Sequence, residues 1–233
     1  MTKPRTIAID GPAASGKSTI GELIAKRCGY FYFDTGVMYR AATWAALDRG
    51  VDIGDEAAIT ALTQQLHIEV KPPTVADGRQ YTVLADGVDI TWQIRTPAVD
   101  AGVSPVSAYP GVREALVMQQ RRIAANGPIV MAGRDIGTVV LPDADLKIYL
   151  DATPEVRARR RHLEILARGE PSDYDEVLKA MLRRDKIDST RAIAPLRPAE
   201  DAVIIDTTDL TIMEVVARVE QLICPADRPS DAS

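Results

Sequence analysis

RTIAIDGPAASGKSTIGELIAKRC, residues Arg5–Cys28, spells out a strand, a glycine-bearing loop and a helix in that order. Arg5 to Asp10 is a short β-branched run that stops at Gly11-Pro12, as a buried strand does where it enters a loop. From Lys17 onward Ile20, Leu23, Ile24 and Cys28 recur at helical spacing. Between them lies Gly11-Pro12-Ala13-Ala14-Ser15-Gly16-Lys17-Ser18, which matches G-x-x-x-x-G-K-[ST] in the strand–loop–helix setting its chemistry requires. The glycines let the backbone wrap closely, so that successive N–H groups and the helix N-terminus face an anion. In such a loop Lys17 bridges the β- and γ-phosphates of a nucleoside triphosphate, and the Ser18 hydroxyl ligates Mg²⁺.

Reading outward, Phe31–Phe33 fits a second short strand and Val37–Leu47 a second helix ending near Gly50. Strand, loop, helix, strand, helix opens a doubly wound parallel sheet. Residues 51–95 break that rhythm. A helix around Glu56–Gln65 precedes three alternating runs, His67–Val70, Gln80–Leu84 and Val88–Ile90, with a turn at Ala85-Asp86-Gly87. This pattern predicts a small antiparallel sheet inserted into the parallel core. A long helix from Pro110 to about Ala125 follows, then strands at Ile129–Ala132 and Leu146–Leu150. Thr153-Pro154 starts the next helix with an N-cap and an N1 proline. A further helix is expected over about Asp173–Asp188, a last strand at Val203–Ile205, and a final helix opened by a Thr211/Glu214 capping box. That helix presents Val215, Val216, Val219, Leu222 and Ile223 on one face.

Composition removes whole classes of protein. The chain has 233 residues, 28 Lys+Arg against 33 Asp+Glu, and a formal charge of −5, which argues against a general nucleic-acid surface. At 46% hydrophobic and 26% charged it is an ordinary globular chain with enough apolar residues for a sizeable core. No apolar run approaches the roughly 18 residues of a membrane span, and Asp10 interrupts the apolar stretch beginning at Ile7, so no signal peptide is read. Cys28 and Cys224 form no C-x-x-C pair, which points to a reducing cytoplasm rather than a zinc or disulfide framework. Arginine outnumbers lysine 21 to 7, and eight of the arginines fall between Arg157 and Arg191. Arginine's planar fork of donors suits phosphate and carboxylate.

A phosphoryl-transfer enzyme binds a second anion in line with the γ-phosphate and surrounds the moving group with positive charge. Three arginine clusters suit that work: Asp34–Arg40, Gly133–Thr138 at a strand's C-terminal end, and the helical set Arg157, Arg160 and Arg161. Those last three share one helix face, where like charges repel unless an anion or acidic partners relieve them. Arg184, Asp188 and Arg191 share a side too, provided their helix reaches Arg191. The Gly/Pro/Ser-rich link at 168–173 makes the two helices a candidate lid hairpin. There is no N-K-x-D to read guanine. Leu146–Leu150 followed by Asp151 imitates a Walker B strand, but Lys147 interrupts it. On residues alone a kinase for another small acceptor, or a nucleotide-dependent switch, stays open.

The chain resembles the bacterial cytidylate kinases of the nucleoside monophosphate kinase group. The resemblance runs from the first strand to the last helix and is carried by GPAASGKST (Gly11–Thr19), DTGVMYR (Asp34–Arg40), VSAYPGVRE (Val106–Glu114), GRDIGT (Gly133–Thr138) and RDKIDSTRAIAPL (Arg184–Leu196). It implies an α/β P-loop NTPase fold: a doubly wound parallel core, an inserted antiparallel-sheet NMP-binding subdomain over about 51–95, and a short helical lid over about 155–190. One domain would span 1–223, followed by a flexible tail, 224–233.

The implied activity is transfer of the ATP γ-phosphoryl to CMP or dCMP with Mg²⁺, by a cytoplasmic monomer that binds neither nucleic acid nor membrane. The resemblance implies that Gly11, Pro12, Ala13, Ala14, Ser15, Gly16, Lys17, Ser18 and Thr19 cradle the donor and that Arg157, Arg160 and Arg161 close on its phosphates. Arg40, Arg134 and Arg191 would hold the acceptor phosphate with Thr35 beside it. Ser104, Arg113 and Asp135 would read the cytosine, and Arg184 and Asp188 the ribose. Lys17, Arg134, Arg157 and Arg191 would carry the catalysis. The family often has glycine where this chain has Ser18, and a serine there fits the metal role.

Overall fold

The computed structural model describes residues 3–224, so all of the expected tail except Cys224 lies outside the described residues. The chain divides into two compact units. The first contains the chain up to Tyr32, Gly127–Thr190, and everything from Ala194; the second contains Phe33–Asn126 and Arg191–Ile193. No helix among the described residues is long and apolar enough to cross a membrane.

The first unit holds β1 (Thr6–Asp10), β6 (Ile129–Ala132), β7 (Leu146–Asp151), β8 (Val203–Asp206) and the first two residues of β2 (Phe31–Asp34), strands that form one sheet in the order β2-β6-β1-β7-β8. β1 runs parallel to both β6 and β7, with Ile9 opposite Ala132 and Ile148, and β7 runs parallel to β8. The strands at its centre are apolar runs because helices cover both faces of a parallel sheet. Ile7, Ala8, Ile9, Val130, Met131 and Leu150 are fully buried. Helix α1 (Lys17–Cys28) comes so close to the β2 segment that a Cβ on Gly21 would lie 2.5 Å from the Tyr32 ring. Lys147, the residue that spoils the apolar run of β7, buries its stem and pairs its ammonium with Asp201 at 2.9 Å.

Helices α6 (Pro154–Ala167) and α7 (Tyr174–Thr190) form the expected hairpin. The Thr153 hydroxyl caps α6 by accepting from Val156 N. α7 stops one residue short of Arg191, so the condition for Arg184, Asp188 and Arg191 to share a helical side is not met. The chain turns away there, with Ala194 in the left-handed region (φ 51°). Helix α8 (Ile212–Ile223) has the full capping box and buries Val215, Val216, Val219 and Ile223, whereas Leu222 is half-exposed.

In the second unit, helix α2 (Gly36–Asp48) buries an alanine-rich face and α3 (Glu56–Gln65) is capped by Asp55, which accepts from Ala58 N at 2.9 Å. The expected antiparallel sheet is present as β3 (Ile68–Lys71), β4 (Thr82–Ala85) and β5 (Val88–Asp89), in that order. Its tight turn has φ 48° at Asp86 and 82° at Gly87, positive at both central residues as a type I′ hairpin turn needs. α5 (Pro110–Ala124) matches expectation, and Gly111 lets it approach α3, since a Cβ there would meet Thr60 Cγ2 at 2.3 Å. Helix α4 (Pro97–Val106) was not expected. Val99, Val103 and Val106 lie at helical spacing, but β-branched residues and Pro105 in the last turn mask the signal.

Candidate active site

The glycine loop joins β1 to α1. Gly11 (φ 146°), Ala14 (58°) and Gly16 (99°) all hold positive φ within six residues, the backbone alternation that turns N–H groups toward one anion. A Cβ on Gly11 would fall 2.0 Å from the Leu150 carbonyl oxygen, so no other residue fits there. No side chain caps the N-terminus of α1. The Ser15 Oγ is buried without a hydrogen-bond partner. An uncapped helix end, an orphaned hydroxyl and a left-handed nest together fit a polyphosphate. Lys17 donates from Nζ to Pro12 O at 2.6 Å, which holds its ammonium across the loop.

For Mg²⁺, Ser18 stands exposed in the first turn of α1, and no cluster of three acidic, His or Cys ligands exists among the described residues. A hydroxyl in that position is the donor a phosphate-bound Mg²⁺ takes from a loop of this sequence.

β6 is the neighbour of β1, so the Gly133–Thr138 segment leaves the sheet beside the glycine loop, and Gly133 N donates to Ile9 O at 3.0 Å. After Arg134 and Asp135 the chain makes a π-helical turn, Ile136–Val140, in which Val139 N and Val140 N both donate to Asp135 O. Such turns recur at functional sites; nothing in the local residues announced this one. Asp10, the last residue of β1, accepts from Ile136 N and Gly137 N at 2.7 Å each. Asp135 is itself buried. Arg134 pairs through Nε with the Asp188 carboxylate, and Arg184 Nε stands 4.0 Å from the same group. The structure thus brings Lys17, Arg134, Asp135, Arg184 and Asp188 into one unit with the loop.

The three α6 arginines do not form a bare positive face. Arg157 is buried, donating to Ala152 O, Ala13 O and both Asp185 oxygens, at 2.6 Å for the shortest. Arg160 donates to Thr207 Oγ1 and Thr207 O, at 3.0 and 2.6 Å. Arg161 pairs with Glu164, three residues on, at 2.9 Å. Their mutual repulsion is therefore offset by protein partners. Thr207, overlooked at the sequence level, is the buried hub, its Oγ1 lying 2.9 Å from Asp151 O and 3.3 Å from Ser15 O. Its only sequence signal is its place just after β8. An open cleft of about 490 Å³ lies here, lined by Asp151, Thr153, Arg157, Ile204 and Asp206 among others. The Asp151 carboxylate accepts from its neighbour Ala152 N.

The remaining candidates, Thr35, Arg40, Ser104, Arg113 and Arg191, belong to the second unit. Thr35 is buried and begins α2. Arg40 donates to Ile94 O at 3.0 Å and to Asp100 Oδ1 at 2.6 Å, a partner that spacing could not reveal. Arg113 is buried, donates to Ser107 O at 3.0 Å and lies over the Tyr39 ring, 5.4 Å from its centre. Ser104, on α4, is half-exposed and accepts at its carbonyl from the Ser107 hydroxyl. Arg191 follows the end of α7 and is half-buried.

A cytidylate kinase family model matches residues 7–224. The chain is 55% identical over 223 residues to a cytidylate kinase of Herpetosiphon aurantiacus, covering 96% of each. It is 52% identical over 219 residues to one of Chloroflexus aggregans, covering 94% of each. Among solved structures, a gluconokinase from Sinorhizobium meliloti aligns over 96% of this chain with 17% identity and a TM-score of 0.47.

Proposed function

The chain belongs to the cytidylate kinase family, and from that premise we propose that this enzyme transfers the γ-phosphoryl of ATP to CMP or dCMP, giving ADP and CDP or dCDP. The observation that carries the reading is the pairing of an anion-binding loop, Gly11–Thr19, with the Arg134–Asp135 turn on the adjacent strand of the same sheet. A phosphate oxygen of the acceptor attacks the γ-phosphorus in line, so no protein nucleophile is needed and catalysis is positioning plus charge neutralisation.

In this proposal the loop amides and Lys17 bind the donor phosphates, with Ser18 as the protein ligand of Mg²⁺. The ion supplies charge neutralisation at the phosphates. Arg40, Arg134 and Arg191 hold the acceptor phosphate, with Thr35 beside it. Ser104, Arg113 and Asp135 match the amino donor and carbonyl acceptor of cytosine, while Arg184 and Asp188 take the ribose. Arg157, Arg160 and Arg161 act on the donor side from the α6–α7 hairpin, with residues 155–190 as the lid and 51–95 as the acceptor-side insertion. A cytoplasmic monomer is part of the same proposal, and the free thiols of Cys28 and Cys224 accord with a reducing compartment.

ADP release from ATP–Mg²⁺, followed in parallel with CMP, dCMP, UMP, AMP and GMP, tests it. Turnover confined to CMP and dCMP is the expected result. Turnover with another acceptor overturns the cytosine pocket, and no turnover with any of them overturns the kinase reading.

A further inference from the structure

We propose that Asp10 is a positioning residue for the transfer reaction: its carboxylate latches the turn bearing Arg134 and Asp135 to the strand that feeds the phosphate loop, so that both loops are held as one piece. The inference rests on the proposed function for its kinetic meaning, while the latch stands on geometry. Asp10 is 4% exposed and immediately precedes Gly11. Its two oxygens each accept one of two successive amides, Ile136 N and Gly137 N, both at 2.7 Å. Those amides open the π-helical turn, whose own bonds begin only at Val139 N, so the turn cannot satisfy them itself. The space is built for this contact, since a Cβ on Gly137 would sit 3.1 Å from Lys147 Cδ and 3.4 Å from Asp10 Oδ2.

The chemistry of the pair requires a carboxylate. An ionised carboxyl accepts at both oxygens, whereas a protonated carboxyl or an amide offers one acceptor and one donor. Either substitute therefore turns a donor toward an N–H. Holding that charge in the interior is costly. Burial pushes the Asp10 carboxyl up to about 6 from an ordinary 3.8, with Asp135 adding to the rise, while the two amides and Lys17 oppose it. From β7 the neighbouring group is Tyr149, opposite Asp10 in register, whose phenol is pushed up to about 12 by burial first, with Asp151 and Asp10 adding. On the β6 side Ala132 stands opposite Ile9 and Gly133 N donates to Ile9 O, and the charged group of that segment acting on Asp10 is Asp135.

Two quantities should move in opposite directions with pH. The folded value lies above the unfolded one, so the stability that Asp10 contributes is greatest below about pH 4 and declines as pH rises through about 6. Latching does the reverse, because it needs the ionised form that prevails above about 6.

The test compares wild type with Asp10→Asn at pH 8.0 and 5.5, measuring kcat, KM for ATP and CMP, and Tm. We expect kcat to fall about tenfold or more at pH 8, the scale of loss from slight misplacement of reacting groups, with KM for ATP within about threefold. Substrate phosphate also ionises near pH 6, so the ratio of the two enzymes is the readout. That ratio should shrink about fourfold at pH 5.5, where roughly a quarter of Asp10 stays ionised, while wild-type Tm gains on the variant. A ratio that is constant with pH, or an unchanged kcat, overturns the proposal. Should the variant not fold, the ¹⁵N–¹H resonances of Ile136 and Gly137 in the wild-type protein decide. A shared midpoint near pH 6 supports the latch, and flat titrations overturn it. Failure of the wild type itself to phosphorylate CMP would strike at the proposed function and leave the amide titration as it stands.

Discussion

Replacing Arg157 by methionine removes a guanidinium that is almost wholly enclosed and keeps its apolar stem. The Arg157 side chain is 4% exposed and that of Asp185 23% exposed. Two parallel bonds join them, NH1 to Oδ1 at 3.2 Å and NH2 to Oδ2 at 2.6 Å, and Nε donates to Ala152 O at 2.9 Å. Removing one partner of a buried pair costs about 3–5 kcal/mol, because the other charge is left without compensation. Water reaches part of Asp185, which puts the loss at the lower end, about 3 kcal/mol. For a chain of this size each kcal/mol moves Tm by roughly 2–4 °C, so Arg157→Met should melt about 6–12 °C below wild type. Adding Asp185→Leu removes the stranded carboxylate, and the double variant should recover about 1.5 kcal/mol of the summed losses. The assay is thermal unfolding followed by circular dichroism, with ADP release measured on the same samples. A Tm within 2 °C of wild type, with no recovery in the double variant, would refute the reasoning and leave Arg157 a purely ligand-facing residue.

Lys17→Ala should lower the rate of phosphoryl transfer by about two orders of magnitude or more with Tm nearly unchanged, checked by coupled ADP release and a melting curve. Gly11→Ala forces a side chain into a positive-φ position 2.0 Å from Leu150 O, and the strain and displaced backbone should cost at least about 2 kcal/mol, read by urea denaturation. Arg113→Ala and Asp135→Ala should relax the choice of base; an unchanged ratio of CMP to UMP turnover in both would remove them from recognition.

The parts of the fold legible in the chain were those with local causes. The Asp86-Gly87 hairpin turn, the Thr211/Glu214 box and the Thr153 cap each work through bonds spanning three residues or fewer, and each appears where the spacing placed it. Helix α4 escaped notice because its apolar positions are valines and its last turn holds a proline, both of which weaken a helical reading. The π-helical turn had no local signature, since an amide of Asp10's partner segment lies 126 residues away from the carboxylate that accepts it.

The same division runs through the candidate site. By itself the chain determined the phosphate loop, because a left-handed nest between strand and helix needs glycine where a Cβ would strike Leu150 O and small residues beside it, and such needs are written within a few positions. The three arginines of α6 were legible as a shared face, but their condition was not. Arg157 meets Asp185 across 28 residues and Arg160 meets Thr207 across 47. Only the folded hairpin and the β8 loop determine which acceptor a long, adaptable guanidinium reaches. Residue type and spacing specify what a side chain can bind; the parallel crossovers decide what stands within hydrogen-bond distance of it.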